Sequence, residues 1–468
     1  MMYIRFFFTS LLGLFFLSSG LLQAAQTASP AHRSIQELTL SNGLRVIVKE
    51  DHRAPVMVSQ VWYKVGSSYE HDGITGVSHV LEHMMFKGTR THPAGEFSRI
   101  ISANGGRENA FTGQDYTAYF QQMEKSRLKV SFELEADRMR NLTLPKEEFL
   151  KEVKVVMEER RLRTDDDPQS LTHEQFNATA FVSSPYRHPI IGWMDDLENM
   201  QVEDLRAWYE KWYAPNNATV VVVGDVQAAE VFKLAKQYFG PLKAGKIIPA
   251  KPRLEIEQKG MRRITVKAPA ELPVLIMGYK VPVIKTTAEA WEPYALEMLA
   301  GVLDGGDSAR FSRELVRGSQ VAASVGTGYN MYNRGQDLLT FSGTPSQGHS
   351  AEVLENAIRA QIKRLHDELV PEQDLTRIKA QVTASKVYEL DSPFYQAMQI
   401  GTLVTVGLSH GLLDEYLDNL NKVTPEQIQQ VARKYLIDDR LTVAVLDPQP
   451  MDAQAQHRMP AAGGRHGH

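Results

Sequence analysis

Apolar, β-branched runs alternate with amphipathic stretches along most of the chain. Pro55-Val56-Met57-Val58, continuing to Trp62-Tyr63, has the character of a strand, and so has Pro273-Val274-Leu275-Ile276 continuing to Tyr279. Lys146-Glu147-Glu148-Phe149 opens a long helical pattern, as does Glu372-Gln373-Asp374-Leu375. Val202-Glu203-Asp204-Leu205 begins an amphipathic helix that leads into the apolar run Ala218 to Gly224-Asp225. Thr424-Pro425-Glu426-Gln427-Ile428 leads in the same way to Leu441-Thr442-Val443-Ala444-Val445. Asp204 and Glu426 both lie early in their helices, where negative charge suits the dipole. Three segment pairs recurring in one order over about 200 residues predict an α+β chain of two related halves, each a sheet packed with helices. The first half is expected over 35–242 and the second over 262–447, with 243–261 as a polar, Pro-containing linker.

The two ends follow other rules. Arg5 precedes a nearly unbroken apolar run from Phe6 to Leu22, and Leu22-Gln23-Ala24 followed by Ala25 offers a cleavage site. Residues 1–25 are therefore expected to be a secretory signal, the alternative being a retained anchor at the short limit for spanning a bilayer. That expectation places the mature chain in the periplasm or outside the cell. The end of the chain, 448–468, is rich in Gln, Ala, Gly and His and is expected to be disordered; its His457, His466 and His468 are solvated tail residues.

Composition narrows the chemistry. The chain has 468 residues, with 52 Lys and Arg against 56 Asp and Glu, a net charge of −4. This balance carries no electrostatic footprint for nucleic acid. There are 14 His and 0 Cys. Disulfides, thiolate metal sites and a cysteine nucleophile are excluded, so a transition metal would have to be held by His, Asp or Glu. Zero cysteine also means that export needs no oxidative folding.

His79-Val80-Leu81-Glu82-His83 is H-x-x-E-H in a segment that reads as a helix. His79 and His83 are one turn apart and share a face, the spacing at which two imidazoles bind one Zn²⁺. Glu82 lies beside that face and suits a general base for the attacking water. A third ligand is needed. The strongly helical stretch Glu148 to Arg161 holds Glu152 and Glu159, two turns apart on one face, but spacing alone does not choose Glu159 over Glu158.

These residues make the chain similar to the pitrilysin and insulinase family of inverzincins, and within it to the short, two-domain processing-peptidase branch. The likeness covers about 35–447 and rests on Ser41-Asn42-Gly43-Leu44-Arg45-Val46, His79 to Thr89, Gly105-Gly106-Arg107-Glu108-Asn109-Ala110-Phe111-Thr112, and the Glu152/Glu159 pair. It implies two mainly antiparallel sheets and a zinc endopeptidase. One zinc ion per chain would be bound by His79, His83 and Glu159, with Glu82 as catalytic base and Glu152 orienting a ligand. The family spacing excludes Glu158, because Lys151 stands where the companion carboxylate belongs. It also implies that Asn109 and Ala110 bind substrate, on a sheet edge that a peptide can extend.

The second half has no zinc motif: Tyr294 to Leu303 contains no histidine. Complete relatives place an Arg and, seven residues on, a Tyr in this half as donors to the tetrahedral intermediate. Those positions fall here on Val316 and Ala323, with Arg317 and Ser324 one place off. A sister chain supplying the Arg/Tyr pair in a heterodimer is the expectation, and a homodimer is the alternative. A non-catalytic binding or assembly subunit is a competing reading. A metal carrier, suggested by the His-rich tail, explains neither Glu82 nor the duplication.

Overall fold

The computed structural model describes residues 35–249, 251 and 253–451. The expected signal, 1–25, and the tail beyond Met451 lie outside the described residues. In the first half the order is β1 (Gln36–Thr39), β2 (Arg45–Glu50), β3 (Val56–Tyr63), α1 (Val77–Met84), α2 (Glu96–Ala103), β4 (Arg107–Thr112) and β5 (Thr117–Glu124). There follow α3 (Leu128–Asn141), α4 (Lys146–Arg160), α5 (Pro168–Ala180), α6 (Met194–Asn199), α7 (Val202–Trp212), β6 (Ala218–Gly224) and α8 (Ala228–Tyr238). The second half runs β7 (Arg262–Pro269), β8 (Val274–Val281), α9 (Glu292–Asp304), β9 (Ala322–Gly328) and β10 (Asp337–Pro345). It ends with α10 (Ala351–Asp367), α11 (Glu372–Glu389), α12 (Pro393–Thr405), α13 (Leu412–Asn421), α14 (Pro425–Tyr435) and β11 (Leu441–Gln449).

The sheets have matching topologies. The first is ordered β1-β2-β6-β3-β5-β4 and the second β7-β11-β8-β10-β9, so the second repeats the first without β1. Each is antiparallel except for one parallel pair, β2 with β6 and β7 with β11. The final strand continues through Pro448 and Gln449, which pair with Ala268 and Pro269 of β7. This corrects the tail boundary at 448: the ladder holds two residues that composition assigned to a disordered end. The linker is anchored as well. Glu255 accepts hydrogen bonds from the backbone N–H groups of Val182, Ser183 and Ser184 and pairs with the buried Lys280.

Each half lends a helix to the other. On β2, β3 and β6, alternate residues face opposite sides. Val46, Val48, Met57, Val61, Val220 and Val222 point into the core of the first half. Ile47, Val58, Trp62, Val221 and Val223 point the other way, onto Ala397, Ile400 and Val404 of α12 from the second half. Reciprocally, Phe176 and Ala180 of α5 pack on Ile276, Leu338, Ala444 and Leu446 of the second sheet. Burial on both faces explains why β6 reads as an unbroken apolar run rather than an alternating one. Two glycines admit these helices. A Cβ at Gly278 would lie 2.5 Å from Phe176, and one at Gly401 would lie 2.0 Å from the Trp62 indole. Each large side chain so buried contributes about 2 kcal/mol.

Candidate metal centre

Helix α1 buries Val77, Val80, Leu81 and Met84. That leaves His79, Glu82 and His83 on the side that lines a cavity of about 970 Å³. Glu70 fixes the start of the helix by accepting the N–H groups of Gly76 at 2.7 Å and Ser78 at 2.9 Å. Complete burial pushes the Glu70 carboxyl up to about 7. Helix α4 packs its Phe149, Val153 and Val156 into the same core and turns Glu159 toward the histidines. Glu159 Oε2 stands 3.8 Å from His79 Nε2 and 3.6 Å from His83 Nε2. Glu158 points away and pairs with Arg161 at 3.0 Å on an exposed face.

The donor set suits zinc. One atom from each of His79, His83 and Glu159 lies within 4.8 Å of the others. Tetrahedral ligands at about 2.1 Å from an ion stand about 3.4 Å apart, close to the two spacings seen from Glu159 to the histidines. A set of three side chains would leave a fourth position for water, as catalytic zinc sites need. Glu152 Oε2 is 3.3 Å from His83 Nδ1, and its other oxygen meets Lys87 Nζ at 2.7 Å. Glu152 thus meets the far nitrogen of the ring, an arrangement in which Nε2 would be left for a metal. Arg163 Nη1 holds the second oxygen of Glu159 at 2.6 Å.

Charge follows from this packing. Burial lowers His79 to about 4, and the neighbouring His83 adds to the effect. Burial would lower His83 too, but its bonds to Glu152 and Glu159 win and raise it to about 9. The same bonds to His83 hold Glu152 and Glu159 below the usual carboxylate range. Glu82 stands outside the group of His79, His83 and Glu159 but close enough to feel the charges of His83 and Glu159. Burial raises its carboxyl, opposed by a hydrogen bond from the Thr112 hydroxyl.

Asn109 and Ala110 lie on β4, the outermost strand of the first sheet, and line the same cavity as the histidines. The Asn109 side chain accepts the N–H of Ala110 at 2.8 Å. Val316 ends a short helical turn, and Ala323 lies in β9. Neither lines this cavity, and Arg317 is spent on the backbone oxygens of Asp307 and Ser312. Sequence reasoning gave no role to Thr112, although the two-residue period of β4 puts it on the same side as Ala110. It also missed His173 and Glu174, which reach the cavity from α5. No local signal marks them, because α5 is placed by the distant second sheet.

A duplicated α+β fold with an H-x-x-E-H helix beside a sheet edge is that of the zinc peptidases with the inverted motif. Comparison with known proteins agrees. The family model for "Insulinase (Peptidase family M16)" matches residues 45–192, and that for "Peptidase M16 inactive domain" matches 199–382. The chain is 34% identical to the zinc protease PqqE of Helicobacter pylori over 91% of its own length and 94% of the relative's. It is 27% identical to the uncharacterized zinc protease YmxG of Bacillus subtilis, over 88% and 98% of the two chains. The crystal structure of a protease from Helicobacter pylori superposes with a TM-score of 0.85 at 32% identity, covering 89% of this chain and all of that one. The periplasmic protease PqqL from Escherichia coli shares the fold at TM-score 0.76 and 18% identity; the match covers 92% of this chain and 49% of that longer one. The chain belongs to the insulinase family, peptidase family M16, in its short two-domain form.

Proposed function

We propose that this chain is an exported zinc endopeptidase that cleaves extended peptide segments and forms the metal-bearing subunit of a two-chain assembly. One observation carries the reading: His79, His83 and Glu159 converge, with Glu82 uninvolved in that cluster, on a cavity bordered by the open edge of β4. A peptide adding to this edge gains main-chain hydrogen bonds and brings a carbonyl toward the three ligands. Zinc bound there would polarise that carbonyl and make a nearby water easier to deprotonate. Glu82 takes the water's proton and returns it to the leaving amine. Asn109 and Ala110 hold the substrate backbone, and Glu152 keeps His83 in the ligating tautomer. Export rests on the N-terminal pattern of residues 1–25. No helix among the described residues is long and apolar enough to cross a membrane.

The missing donors support the partner. Val316 and Ala323 present no side-chain N–H or O–H, so the Arg/Tyr pair of complete relatives would have to come from a second chain of this fold; a homodimer is the alternative. A non-catalytic assembly role is the second reading, favoured by the inactive-domain match over 199–382. Purification from the native host followed by a peptide-library digest separates them. Stoichiometric zinc and chelator-sensitive cleavage are expected, with a homologous chain co-purifying. Zinc-loaded protein that cleaves no peptide in any assembly would leave the assembly role standing.

Thr112→Val tests how Glu82 is held. Turnover is expected to fall about tenfold with zinc content unchanged. Burial already raises the Glu82 carboxyl and the Thr112 bond opposes it, so removing the hydroxyl raises it further. A base must be ionised to act, so the acid limb of the activity profile should move to higher pH. An unmoved limb would mean that the bond does not govern Glu82.

A further inference from the structure

We propose that Arg334, contributed by the second half, is a positioning residue for peptide binding at the edge of β4, an assignment that rests on the peptidase reading above. Arg334 lies in the loop between β9 and β10, yet its partners belong to the first half. Its Nε donates to Asp115 Oδ1 at 2.9 Å, its backbone N–H donates to Asp115 Oδ2 at 3.2 Å, and Nη2 donates to Ser68 Oγ at 2.7 Å. The guanidinium stacks on the ring of Tyr69, 4.3 Å from its centroid.

Asp115 is the centre of this junction, only 3% exposed. It sits in the turn that joins β4 to β5, closed by Gly113 N–H to Tyr116 O at 2.8 Å. Besides Arg334 it accepts the hydroxyls of Ser68 and Tyr186. Tyr186 lines the same cavity as β4, and its oxygen accepts the N–H of Gly335 at 3.0 Å. The β4–β5 turn and the cavity-lining Tyr186 are thus joined on one carboxylate, and the charge that balances it comes from the second half. A buried carboxylate without its cation would not stay in place.

The consequence concerns β4. An outermost strand is paired on one side only, so its alignment depends on what holds its ends. At one end Thr112 bonds Glu82, and three residues on Asp115 is gripped by Arg334. A substrate strand inherits whatever alignment β4 has, and small misplacements of a bound chain are costly. Arg334 touches no reacting atom; it acts through Asp115 and the turn.

The test uses the full chain in the assembly in which it purifies, with a peptide of about eight residues, long enough to pair along β4. For Arg334→Gln, KM is expected to rise about tenfold while kcat stays within about threefold and zinc content is unchanged. A purely structural role would reduce the active fraction, lowering apparent kcat at constant KM, and that outcome overturns the proposal. If Arg334→Gln does not fold, Tyr186→Phe decides: it removes one hydroxyl from the same carboxylate and should raise KM about threefold. An unchanged KM there also overturns the proposal. Wild-type protein without chelator-sensitive cleavage would remove the peptidase reading itself, and this assignment with it.

Discussion

Glu82→Gln is expected to keep its metal and lose hydrolysis. Glutamine has the shape of glutamate, and its amide oxygen can still accept the Thr112 hydroxyl that now bonds Glu82. The apolar face of α1, with Val80, Leu81 and Met84 fully buried, is untouched, so the helix stays in register. Glu82 is absent from the group formed by His79, His83 and Glu159, so metal content should not change. An amide cannot take a proton from water, and general-base catalysis of this kind is worth about 10²–10⁴-fold. Turnover should therefore fall by about three orders of magnitude while zinc remains one per chain by elemental analysis. Full activity in this variant would remove Glu82 as the base, whatever the metal does.

The second large effect lies far from the metal. Gly401→Ala places a methyl group 2.0 Å from Trp62 Cε2 and 2.2 Å from its Nε1. The indole has nowhere to go. It is fully buried, its N–H is held by Gln60 at 2.9 Å, and Phe111 and Tyr116 stand edge-on to it at 5.4 and 5.0 Å. Either α12 lifts from the first sheet or Trp62 pushes on the β4–β5 hairpin. Overpacking of this severity is expected to cost about 3 kcal/mol, read as a lower urea midpoint at unchanged slope. Loss of activity should accompany loss of stability, because Phe111 belongs to the strand that borders the cleft. An unchanged midpoint would mean that α12 is not seated on Trp62.

Much of this was legible beforehand. H-x-x-E-H announced that His79 and His83 stand together, because an α-helix brings positions four apart onto one face. The three recurring segment pairs lie at β3 and β8, at the starts of α4 and α11, and at α7–β6 and α14–β11, so the duplication could be read from order alone. Glu159 needed more than spacing. What separates it from Glu158 is which side of α4 faces α1, and the sequence of one helix does not carry that. Thr112, Asp115 and Arg334 were illegible for a related reason. Their roles arise from contacts across 30 to 219 positions of sequence, and a lone Asp or Arg in a loop reads as solvated. The strand boundary at Gln449 is not legible in a polar composition, because what extends the strand is its parallel ladder with the distant β7.

The exchanged helices bear on how this protein can be divided. By sequence α5 belongs to the half that carries the H-x-x-E-H motif, yet its apolar face is covered by the other sheet, and the same helix brings His173 and Glu174 to the cleft. A fragment ending at the linker would keep every metal ligand but lose the surface that seats one wall of the cavity, and would bare both Phe176 and Trp62. Replacing one repeat by a homologue's would preserve this packing only if matching surfaces on α5 and α12 were carried along with it.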